Sequence, residues 1–220
     1  MKNLLIITVC SIFILQGCKE DELCLIGSGT VNEYQIGVDD FKNVSLFGPI
    51  NLRIKQGPEI SVIVDAEPEI FSALSYEVKN ETLEIGFKEN VTCFETDYGV
   101  WINVTVPNIE SIYQSGVSEI ESNGDLALSE LHLNISGNAD ITLSGQVDNQ
   151  TIISSGVLHA ENFALLSTTT SIDVSGVADI ELTCSDNLDI EVDGSAKISY
   201  KGNPTISQDV SGELDLINAN

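Results

Sequence analysis

A six-residue pattern returns six times in the last half of this chain, and it constrains the fold before any other feature. It reads Ser115-Gly116-Val117-Ser118-Glu119-Ile120, Ser136-Gly137-Asn138-Ala139-Asp140-Ile141 and Ser155-Gly156-Val157-Leu158-His159-Ala160. It goes on as Ser175-Gly176-Val177-Ala178-Asp179-Ile180, Asp193-Gly194-Ser195-Ala196-Lys197-Ile198 and Ser211-Gly212-Glu213-Leu214-Asp215-Leu216. The glycines are 21, 19, 20, 18 and 18 residues apart. A fixed period of about 20 residues with alternating apolar positions marks a stacked solenoid, because one repeat alone leaves its apolar face in water.

The residue before each glycine sets position zero. Three residues earlier stand Ile112, Leu133, Ile152, Ile172, Ile190 and Gln208. One residue earlier stand Gln114, Ile135, Ser154, Val174, Val192 and Val210. These mostly apolar columns are spaced by two, the period of a strand with one inward face. Beyond the glycine the alternation resumes at plus three (Ser118, Ala139, Leu158, Ala178, Ala196, Leu214) and plus five (Ile120, Ile141, Ala160, Ile180, Ile198, Leu216). Each coil is therefore predicted to be a strand, a glycine corner and a second strand, with a variable return. The corner glycines are expected to adopt positive φ, which costs little only without a Cβ. Ser115, Ser136, Ser155 and Ser175 are placed to form a hydroxyl ladder.

The plus-four column is Glu119, Asp140, His159, Asp179, Lys197 and Asp215, and the alternation points it outward. A pure acidic stack would repel itself. His159 and Lys197 break it, with His159 between Asp140 and Asp179 on neighbouring coils. Such a row reads first as a solvated face and second as a weak binding surface. A polysaccharide-active β-helix enzyme would group carboxylates and a base in an acidic groove, and Asp140, His159, Asp179 and Lys197 are the residues it would use. No aromatic residue flanks that column to stack on a sugar. Facing acids also leave calcium open, but the Asp-x-Asp-x-Asp loop spacing is absent. No catalytic residue, metal ligand set or other cofactor is assigned.

With 34 acids against 9 bases, the net charge is −25, which repels nucleic acid. Arg53 is the one arginine, so bidentate recognition of phosphate is poorly served. The N-terminus reads as a targeting segment: Lys2, then the apolar run Leu4 to Leu15, too short to span a membrane. It ends in Leu15-Gln16-Gly17-Cys18, which resembles the bacterial lipobox. That resemblance implies a signal peptide over 1–17, a lipid on Cys18 and a tether over 18–26. Removing the leader takes away Lys2 alone among charged residues and leaves −26. Lys19-Glu20-Asp21-Glu22 resembles the surface-export signal of Bacteroidetes lipoproteins. In an oxidising setting Cys24 and Cys93 form a candidate disulfide. Cys184 continues the inward alternation Ala178, Ile180, Leu182 and reads as a buried free thiol.

Residues 27–112 are strand-like but less regular, and are expected to cap the solenoid formed by 113–220. Strands are predicted from Val44 to Ile54 around Gly48-Pro49, from Ile60 to Val64, and from Val100 to Val106. A hairpin is predicted around Asn80-Glu81. Gly27-Ser28-Gly29, Phe41-Lys42-Asn43-Val44, Gly48-Pro49-Ile50-Asn51-Leu52, Lys55-Gln56-Gly57 and Asn80-Glu81-Thr82-Leu83-Glu84-Ile85 follow in order. With Ser-Gly-x-Ala-Asp-Ile coils behind them, they resemble the putative auto-transporter adhesin, head GIN domain family, common in Bacteroidetes lipoproteins. The resemblance covers roughly residues 27–216. It implies an all-β, right-handed parallel β-helix on the cell envelope, and it carries no catalytic residue.

The expectation is an outer-membrane lipoprotein, surface-exposed or periplasmic, that binds, adheres or displays without catalysis. Its expected partners are the membrane through the lipid, an envelope protein or glycan, and a second copy of the chain.

Overall fold

The computed structural model describes residues 24–220. The leader expected over 1–17, the lipidation expected at Cys18 and the export-like segment 19–22 lie outside the described residues. The rest is nearly all β, a solenoid of stacked parallel coils with one short helix, Pro68–Ala73.

The repeat builds this stack through strict register. In the first face of each coil, Ile112 pairs with Leu133, Leu133 with Ile152, Ile152 with Ile172, and Ile172 with Ile190. In the second face, Ile120 pairs with Ile141, Ile141 with Ala160, Ala160 with Ile180, and Ile180 with Ile198. All of these are at most 3% exposed and form one continuous core. Each large aliphatic side chain so buried contributes about 1.5–3 kcal/mol, which the isolated coil would forgo. Cys184 lies in this core as a free, fully buried thiol.

The variable return is continuous strand in two of the coils. Val157–Val174 and Val177–Val192 are single strands that carry the second face of one coil straight into the first face of the next. Register shifts between Asn162 and Leu166, and again before Thr169, mark the corner where the strand turns.

The less regular half also joins the stack. Asn43–Phe47 and Asn51–Gln56 form a coil against which the first repeat packs, with Val44 beside Ile112 and Leu52 beside Ile120. Thr82–Phe87 and Trp101–Val106 then stack on the far side of that coil. Sequence order and stacking order therefore differ, because the chain crosses the 43–56 coil between residues 106 and 111. The end is closed by antiparallel pairings of Asn32–Ile36 with Ser61–Ala66, and of Ser61–Ala66 with Trp101–Val106. The predicted hairpin is present: Leu74–Lys79 pairs antiparallel with Thr82–Phe87, and Asn80 and Glu81 turn with φ of 50° and 60°.

The glycine corners depart from expectation in their cause. Gly116 has φ of 141°, while Gly137, Gly156, Gly176, Gly194 and Gly212 are not in the positive-φ region. What they share is close approach. A Cβ on Gly137 would stand 2.0 Å from the Gly116 carbonyl oxygen, and one on Gly194 would stand 2.0 Å from that of Gly176. Among the corner residues, Ser136 Oγ donates to the Gln114 carbonyl at 3.2 Å rather than to another hydroxyl, while Ser211 Oγ donates to Asp193 on the adjacent coil.

Candidate functional site

Two surfaces stand out. The first is the outward face of the second strands. Glu119, Asp140, His159, Asp179, Lys197 and Asp215 follow one another in unbroken Cα register. Their strands are locked by the buried plus-three and plus-five columns, so side chains repeat about 4.8 Å apart along the stack. Lys197 Nζ donates to both carboxylate oxygens of Asp179, at 3.1 and 3.3 Å. His159 does not bridge its stacked neighbours. Its Nε2 lies 3.3 Å from Glu161 Oε1 on the same strand.

Beside the charged row runs a column that carries exposed valines. Val117, Val157 and Val177 are 58%, 49% and 56% exposed; Val157 pairs with Val177, and Asn138 stands between Val117 and Val157. Residues two apart on a strand share a face, so these valines lie alongside Glu119, His159 and Asp179. Val157, His159, Val177, Asp179 and Lys197 line an open depression of about 430 Å³ on this face. Arg53 is engaged elsewhere: it donates to Glu121 and to Asn103 Oδ1, and its guanidinium lies 4.1 Å from the Trp101 ring centroid. Among the described residues, no three His, Cys, Asp or Glu side chains are grouped to hold a metal ion. No helix among them is long and apolar enough to cross a membrane.

The second surface is a cleft of about 1040 Å³ at the capped end. Cys24 and Cys93 form a disulfide, with Cα atoms 4.7 Å apart, that fastens the start of the described chain to the loop after Phe87. Leu25–Ile26 then pairs parallel with Phe94–Glu95. Beneath lie Phe47, Phe87 and Phe94; the last two stack with centroids 4.3 Å apart. Glu67, which is 1% exposed, accepts the Gly29 amide at 2.6 Å on Oε1. Sequence reasoning missed this site because residues 27, 47, 67 and 94 meet only when the outer coils stack out of chain order.

Residues 40–204 match the family described as putative auto-transporter adhesin, head GIN domain. The chain belongs to this family. Solved structures share its fold. A putative adhesin from Bacteroides fragilis has a TM-score of 0.72 at 20% identity, with 88% of this chain and 99% of that one aligned. A putative adhesin from Parabacteroides merdae has a TM-score of 0.56 at 17% identity, with 89% and 98% aligned. A protein from Parabacteroides distasonis described as a putative lipid binding protein has a TM-score of 0.50 at 18% identity, with 88% and 99% aligned. No curated protein matches the chain. Membership accounts for the coils and for the order of the motifs upstream of them, and it brings an adhesin-like, cell-envelope character without a catalytic assignment.

Proposed function

We propose that this family member is a cell-envelope lipoprotein whose solenoid acts as a non-catalytic adhesion module. The observation that carries this reading is the exposed strip of Val117, Val157 and Val177 beside an in-register row of charges. Apolar side chains exposed in a column, rimmed by charges, are the usual makings of a contact surface. Their backbone is already fixed by the ladder, so little ordering entropy is lost on binding.

The tether supports a direction for display. Five residues separate Cys18 from Cys24, so a lipid on Cys18 would hold the capped end within about 20 Å of the membrane. The C-terminal coils then project outward. Lys19-Glu20-Asp21-Glu22 supports placement on the outer surface.

The test uses beads coated with the mature chain and their attachment to intact bacterial and epithelial cells. Val157→Asp with Val177→Asp is expected to weaken attachment roughly tenfold, as loss of an interface centre does. A folded double variant that attaches like the parent overturns the proposed face. Mass spectrometry of the native protein should find the lipid on Cys18, and protease treatment of intact cells should remove the domain.

A further inference from the structure

The cleft at the capped end begins at Gly48 and Pro49, beside the Ser115-Gly116 corner where the proposed strip starts, and its lining has a consistent chemistry. We propose that it binds a small amphipathic amine, an ammonium group carried on an apolar body.

The apolar part of the ligand has a defined seat. Phe47 is 47% exposed, although its strand belongs to the core stack. Phe87 and Phe94 stack with their planes 22° apart and present a combined aromatic surface to the same space. Aromatic faces attract cations as well as apolar groups, because the ring carries a negative face.

The sign of the charge is set by the carboxylates. Glu67 is almost wholly buried, and its Oε2 has no hydrogen-bond partner among the described residues. A buried carboxylate oxygen without a donor carries an uncompensated desolvation cost, which an incoming N–H would remove. Gly27 packs directly on this carboxylate, since a Cβ there would stand 2.1 Å from Oε2, so the glycine is what lets Glu67 sit at the base of the cleft. Glu89, Glu95 and Asp97 add negative charge around the cleft. Lys88 is the one base in the lining, and its Nζ already donates to the Ser72 carbonyl at 2.6 Å. A carboxylate or phosphate ligand would meet repulsion here, whereas an ammonium meets both a hydrogen-bond acceptor and aromatic faces. The volume suits a ligand of drug-like size. Such an amine is either free in solution or the headgroup of an ethanolamine lipid in the membrane to which the tether leads.

The test is an NMR titration of the ¹⁵N-labelled mature chain with phenethylamine and, in parallel, with phenylacetate, which has the same ring and the opposite charge. Phenethylamine is expected to give saturable shifts at Gly27, Gly29, Phe87 and Phe94, and phenylacetate to bind at least about tenfold more weakly. Glu67→Gln removes the acceptor charge but also touches the cap, so Phe94→Leu and the pair Glu95→Gln, Asp97→Asn are measured alongside. Each should weaken phenethylamine binding while the melting temperature stays near the parent's. Vesicles of phosphatidylethanolamine and of phosphatidylglycerol separate the two sources. Competition by the former alone identifies a lipid headgroup, and competition by neither identifies a free amine. Equal binding of phenylacetate, competition by phosphatidylglycerol, or no saturable shift with phenethylamine overturns the proposal.

Discussion

The carbonyl oxygen of Gly156 stands 2.0 Å from the point a Cβ on Gly176 would occupy. The same oxygen accepts the Val177 amide at 2.9 Å, so the ladder that joins the coils draws the two backbones together at the corner. Glycine is required there by the neighbouring coil rather than by its own φ. The obstacle is backbone, which cannot swing aside as a flexible side chain can.

Gly176→Ala is therefore expected to destabilise the protein by about 1–3 kcal/mol, the usual cost of overpacking a rigid site. Gly37→Ala is the control, since a Cβ there meets nothing within 4 Å and its φ is not in the positive region. Urea unfolding of both variants checks this. Equal midpoints would overturn the close-approach account.

The Cys24–Cys93 disulfide closes a span of 69 residues. The chain-entropy estimate assigns such a loop about 4 kcal/mol of stability. Reduction should lower the unfolding free energy of the capped end by roughly that amount. In a chain produced from residue 19 onward, thiol labelling in denaturant without reductant should modify Cys184 alone. Three labelled cysteines would contradict the pairing.

Lys197 stands in register between Asp179 and Asp215 and pairs with the former across adjacent coils. Its side chain is 50% exposed, so the pair itself is worth at most about 1 kcal/mol. Lys197→Glu converts attraction into repulsion along the stack. A loss of about 1 kcal/mol at low salt is expected, largely recovered in about 1 M salt, where charges are screened within some 3 Å. Thermal melts at two salt concentrations measure it.

Lys79 closes the Asn80-Glu81 hairpin, and its ammonium is held above the usual lysine pKa chiefly by its hydrogen bond to Glu77, with Glu84 adding to the effect. A raised folded-state pKa means the contribution to stability is fully present below the unfolded value. It is lost as pH rises through the folded one. NMR titration should find Lys79 above its ordinary range, and Glu77→Gln should bring it back down. An unchanged titration in that variant would refute the cause.

The periodic columns alone determined the coils, because period two with buried plus-three and plus-five positions admits only strands stacked face on face. The Asn80-Glu81 hairpin and the strand predicted from Val100 to Val106 were legible for equally local reasons. Stacking order was not. That Thr82–Phe87 lies outside Asn43–Phe47, rather than next to the coil that follows it in the chain, depends on which apolar edges cover each other, a non-local matter. The side-chain partner of His159 was likewise undecided, since register places Asp140 and Asp179 beside it while the rotamer turns it to Glu161. Only the folded stack brings Phe47, Glu67 and Phe94 around one cleft, because no spacing along a chain encodes proximity created by coils that pack out of sequence order.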